Sequence, residues 1–148
     1  MNDLYHADLA LWSAQQAKAL RSAARERSNA PVDWENVAEE IEGLGASERR
    51  ALASHVRVVV EHLMKLLLSP ADAPHNGWRR TVKRARADMD TILEASPSLR
   101  RELSATIGRE TARARPLVAD DLAERGEDAA GLDALTFDVD QVIGPWLP

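Results

Sequence analysis

Residues 34–68 read WENVAEEIEGLGASERRALASHVRVVVEHLMKLLL, and the apolar positions in this stretch recur every three or four residues. At about 100° per residue, Trp34, Val37, Ala38, Ile41 and Leu44 fall on one stripe about 120° wide. Gly43 and Gly45 flank Leu44 and read as a C-terminal turn. Ser47 can then cap a following helix in which Leu52, Val56, Val59, Val60, Leu63, Leu66 and Leu67 cover nearly half the circumference. A face that wide needs neighbours on more than one side, so the spacing predicts helices over 34–44 and 47–68, the second of them central.

The same periodicity extends outward. Asn2 or Asp3 can cap a helix over 3–27 with Leu4, Tyr5, Leu11, Trp12 and Ala19 on one face, closed by the polar Ser28-Asn29-Ala30-Pro31 break, the best site for proteolytic nicking. Pro70 and Pro74 end the central helix. Asn76 can cap a helix over 77–95, with Trp78, Val82, Ala85, Met89, Ile92 and Leu93 on its apolar side and Arg79, Arg80, Lys83, Arg84 and Arg86 opposite. Ser96-Pro97, a capping hydroxyl before proline, restarts a helix over 97–124, which Pro116 should kink or split near Arg115. Residues 126–148 read as a loop with a short closing turn carrying Phe137, Val139, Val142, Ile143 and Trp146. No strand pair is visible. The expected fold is all-α: a single-domain helical bundle of about five helices over 1–148 with a short C-terminal closing segment.

Composition narrows the possible chemistry. A chain of 148 residues can bury roughly 70% of the surface its unfolded form exposes. It contains no cysteine, which removes disulfides, thiolate nucleophiles and cysteine metal sites and favours a reducing cytoplasm. The longest apolar run, Val56 to Leu68, is interrupted by Arg57, Glu61, His62 and Lys65, and the N-terminus has no secretion pattern, so neither a membrane span nor export is expected. The net charge of −5 argues against nucleic acid. It is unevenly placed: residues 1–115 hold 18 basic and 16 acidic residues, residues 116–148 only 1 and 8.

A wider set of residues carries a family pattern: Leu4-Tyr5, Asp8 and Trp12; Asn36 through Glu42 with Leu44-Gly45 and Ser47-Glu48; Glu61-His62-Leu63 and Lys65; Trp78-Arg79 and Thr81; Ser96-Pro97-Ser98-Leu99; Thr136-Phe137; and Leu147-Pro148. Together these resemble the bacterial DUF29 family, whose function is unknown. The likeness spans nearly the whole chain, and the AEEIEGLG block is its most specific part. It implies a small, soluble, all-helical bacterial protein and carries over no catalytic residue. Leu66 and Thr111 stand where the family commonly has aromatics, and Pro116 interrupts a segment normally free of proline.

Three residue sets invite chemistry. Glu35, Glu39 and Glu42 share one helix face, and with His55 and His62 they suggest a metal or hydrolytic site formed by Glu39, Glu42, His55 and His62. The competing reading is a solvated or ion-paired face: the two histidines lie about 10 Å apart along the axis, and neither has the Glu-x-x-His spacing of di-iron bundles. Each histidine would then pair with a carboxylate of another helix. The basic set Arg79, Arg80, Lys83, Arg84 and Arg86 suggests an anion or weak nucleic-acid site without interleaved aromatics. Glu110 falls on an apolar stripe, and an arginine of the 77–95 helix is its expected partner. All four tryptophans are expected as core anchors.

Nucleophile-elbow, phosphate-loop and zinc-protease motifs are absent from the sequence. The leading expectation is therefore a non-enzymatic helical interaction module, binding a protein partner or forming a homo-oligomer, with no cofactor.

Overall fold

The structure, a computed structural model, describes residues 3–26 and 29–148. Among the described residues six α-helices run in the order α1 (Leu4–Ala7), α2 (Leu9–Arg25), α3 (Trp34–Leu68), α4 (His75–Ala95), α5 (Leu103–Glu124) and α6 (Val139–Ile143), with 3₁₀ turns at Pro97–Glu102 and Leu132–Ala134. The fold is all-α, and the described residues include no strand. Asn2, Arg27 and Ser28, which entered the expected first cap and break, lie outside the described residues. Two compact units make up the chain: Met1–Ala51 with Ile92–Arg100, and Leu52–Thr91 with Arg101–Pro148.

In the first unit the expected helix over 3–27 is divided at Asp8. Asp8 leaves helical geometry, and its carboxylate accepts from the Leu11 amide at 2.8 Å, capping α2. The same buried carboxylate accepts from the Ser98 amide at 2.6 Å and the Ser98 hydroxyl at 2.8 Å, while Ser96 Oγ accepts from the Ala10 amide at 3.1 Å. So the Ser96-Pro97 restart is capped by Asp8, 90 positions away in sequence, and not by its own serine. The restart is a 3₁₀ turn before α5 begins at Leu103.

The predicted division of 34–44 from 47–68 is corrected: α3 is one 35-residue helix. Asp33 starts it, accepting from the Asn36 amide and side chain. Gly45 serves close approach instead of a turn. A Cβ added there would lie 2.5 Å from Ser13 Oγ and 3.3 Å from the Ala10 carbonyl, so α2 backbone rests directly on α3. The core around it is small: Ala10, Ser13, Ala17 and Ala38 are buried.

The second unit has a larger core, with Leu52, Val56, Val59, Val60, Leu63 and Met64 of α3, Val82 and Met89 of α4, and Leu103, Ile107, Val118 and Leu122 of α5. Pro116 does not split α5, which is continuous through Glu124. Proline costs about 3 kcal/mol in a helix interior, and burial of Ile107, Glu110, Ala114, Val118 and Leu122 on either side of it holds the helix together. Gly126, at φ +70°, ends the helix. The Glu127 amide bonds the Leu122 carbonyl at 2.8 Å and the Gly126 amide the Ala123 carbonyl at 3.0 Å, the reciprocal pattern of a Schellman cap. Asp138 and Gln141 form a capping box that starts α6. Leu67, placed on the wide apolar face by its spacing, is exposed, and so is Leu117.

Candidate functional site

Glu35, Glu42, His55 and His62 of α3 each have a separate local neighbour. Arg21 of α2 bonds Glu42 at 2.8 Å and Glu35 at 3.1 Å. That contact holds the Glu42 carboxyl below its usual range and the Arg21 guanidinium above its own. Glu39 is exposed. His55 Nδ1 lies 4.0 Å from the Asp88 carboxylate of α4, not beside a glutamate of α3. His62 Nδ1 lies 2.7 Å from the Val58 carbonyl of its own helix. Among the described residues no three histidine or carboxylate side chains gather as metal ligands.

Glu61 and His62 carry opposite pH dependence. Burial pushes the Glu61 carboxyl above its usual 4.5 despite Lys65 and Arg57, and burial pushes His62 below its usual 6.5. Lys65 pairs with Asp121 of α5, not with Glu61 as the spacing of four suggests. As pH falls through 6.5, the unfolded chain takes up a proton that buried His62 resists, so stability drops. As pH rises from 4.5 towards the raised pKa, folded Glu61 retains a proton that the unfolded chain has lost, so stability falls across that window and the full cost remains above it. Glu61→Gln is therefore expected to raise the melting temperature at neutral pH by about 1–3 °C. The gain shrinks towards zero below 4.5. Thermal melts across this range check it, and an equal gain at both ends contradicts it.

The basic face of α4 loses one of its five members. Arg86 is buried, and its guanidinium donates to the carbonyls of Val142 at 2.9 Å, Gln141 at 2.7 Å and Trp146 at 2.6 Å. A cation at the C-terminal end of α6 meets carbonyls that the helix leaves free, so Arg86 anchors the closing segment. Burial lowers its pKa. Arg115 does the same for the Leu132–Ala134 turn, donating to the Leu135 carbonyl at 3.0 Å. Arg79, half-buried, and Arg80, Lys83 and Arg84, exposed, remain on the face. None of the four forms an ion pair among the described residues.

The apolar stripe that the spacing predicts over 34–44 is only partly covered. Val37 is 38% and Leu44 41% exposed, Ile41 and Trp34 are half-buried, and only Ala38 is enclosed. Trp34 Nε1 is buried without an acceptor. The result is an outward apolar row along the first half of α3, bordered by Glu40 and Glu48, which lie four residues on either side of Leu44. The signal was present: once 34–68 is one helix, extending the buried stripe of Leu52 and Val56 backwards at about 100° per residue passes through Ala38 and Gly45 and leaves Val37 and Leu44 on its flank. The tryptophans divide likewise. Trp78 is buried under the Arg125 guanidinium, 4.9 Å from its ring centroid, Trp12 packs edge-on to Tyr5 at 4.9 Å, and Trp146 is exposed.

No described helix is long and apolar enough to cross a membrane. No curated protein matches the chain. A solved structure of an alpha-helical protein of unknown function from Rhodospirillum rubrum is similar to it, with 29% identity and a TM-score of 0.78, covering 98% of this chain and 92% of that one. The model of the domain of unknown function DUF29 matches residues 4–143, which include the Asp8 and Ser98 clamp, the Gly45 contact and the Arg86 anchor, and the chain therefore belongs to the DUF29 family.

Proposed function

We propose that this protein is a helical interaction module of the bacterial cytoplasm that works by binding a partner protein along the apolar row of α3. The observation that carries the reading is the exposure of Val37 and Leu44 beside half-buried Trp34 and Ile41 on one face of α3. Rows at i, i+4 and i+7 fit an amphipathic helix laid alongside. Glu40 and Glu48 border the row, so the fitting helix carries basic residues on its flanks. A second copy would bring the same carboxylates together in either orientation, which disfavours self-association through this face.

Substituting both Val37→Glu and Leu44→Glu tests the reading. Exposed substitutions away from the core change stability by about 0.5 kcal/mol or less each, so the melting temperature should hold. Affinity for a partner captured by the wild type should fall at least tenfold, which corresponds to about 1.4 kcal/mol. Light scattering on the wild type should report a monomer. A partner retained equally by the double variant, or a dimer that the variant dissolves, overturns this assignment.

A further inference from the structure

The unpaired cations of α4 line a groove in the second unit, independent of the α3 row. A cleft of about 250 Å³ is formed by His55 and Val58 of α3 with Arg80, Thr81, Arg84, Ala85 and Asp88 of α4. Arg80 and Arg84 are four residues apart, so their guanidinium groups stand one turn from each other on one side of the helix. Arg80 also lines an adjoining hollow with Asn76, Arg79 and Lys83. The chain carries 24 acidic against 19 basic residues, so carboxylates are in excess. Arg21, Arg57, Lys65 and Arg113 have each found one. Four cations without a carboxylate partner among the described residues, on one face and around a concavity, are the feature that needs an occupant.

We propose that this groove binds a small phosphorylated ligand, one phosphoryl group seated among His55, Arg80 and Arg84 and a second charged group reaching Arg79 and Lys83. Guanidinium groups match phosphate oxygens with paired N–H donors. The His55 imidazole lines the cleft with its Nδ1 4.0 Å from an Asp88 carboxylate oxygen, and a neutral imidazole offers one ring nitrogen as an acceptor. A phosphate monoester has a second pKa near 6; in its monoanionic form it offers a P–OH to that nitrogen as well as oxygens to the arginines. Sulfate has no such proton. Asp88 and Asp90, both exposed on the same helix, bound the positive surface and set a ligand of a few charges against a long polyanion.

The test is titration calorimetry on the full chain at low salt with pyrophosphate, inorganic phosphate and sulfate as probes. Pyrophosphate is expected to bind with Kd below about 1 mM, inorganic phosphate more weakly, and sulfate at least tenfold more weakly than phosphate. Arg80→Gln and Arg84→Gln should each reduce pyrophosphate affinity at least tenfold. Their melting temperatures should stay at the wild-type value, because both side chains are exposed and unpaired. No binding of pyrophosphate at 5 mM, or equal affinity in the Arg80→Gln/Arg84→Gln double variant, overturns the proposal. So does equal affinity for sulfate and phosphate, or tighter binding of a short duplex DNA, a single-stranded RNA or a polyglutamate peptide than of pyrophosphate.

Discussion

Arg57→Met is expected to destabilise the chain by about 2–4 kcal/mol, while Glu110→Met is expected to be neutral or stabilising. Glu110 has no exposed side-chain surface; Arg57 Nε bonds its Oε2 at 2.8 Å and Arg113 Nη1 its Oε1 at 2.7 Å. The two arginines are 39% and 60% exposed, so each keeps water when the carboxylate is removed. The carboxylate has no such recourse. Losing Arg57 leaves a fully buried charge with one partner on a helix face that also buries Ile107 and Ala114, whereas a methionine at 110 fills the same space without charge. Denaturant unfolding of both variants checks the asymmetry. A Glu110→Met variant less stable than Arg57→Met would mean that the pair itself, and not the burial of one charge, dominates.

Two glycines two positions apart on α3 should respond in opposite directions. Gly43→Ala meets nothing within 4 Å and gains helix propensity, about 0.5–1 kcal/mol. Gly45→Ala gains the same propensity but drives a methyl into Ser13 Oγ and the Ala10 carbonyl. Overpacking of this kind costs about 1–3 kcal/mol, and α2 cannot retreat freely because Asp8 and Ser96 hold its first turn. A net loss is expected at 45 and a net gain at 43. Thermal melts of the two single variants decide it, and a Gly45→Ala variant as stable as Gly43→Ala would show that α2 shifts without cost.

Much of this fold was legible because it is local. The periodicity of 34–68, the stop at Ser69-Pro70 and the short closing helix near the C-terminal end depend on side chains within four residues of one another, and the structure contains each of them. What failed involved distant neighbours. Gly43 and Gly45 read as a turn because glycine usually ends a helix; only Ser13 and Ala10, more than thirty positions earlier, show why position 45 has no side chain. Pro116 read as a break because its lost hydrogen bond is local, while the packing that outweighs it is not.

The candidate sites divide the same way. Five basic residues share one face of α4 by helix geometry, yet carbonyls 55 to 60 positions away claim Arg86 and leave the other four. Glu110 was placed on an apolar stripe by spacing, but its partner on a second helix, Arg57 of α3 instead of an arginine of α4, followed from packing. The sequence by itself determined an all-helical chain, where most of its helices lie and the separation of charge between helix faces, since these arise from hydrogen bonds and angles within one or two turns. Tertiary structure alone decided which apolar residues stay uncovered and which charges stay unpaired, because burial and ion pairing are set by what another helix brings within a few ångströms.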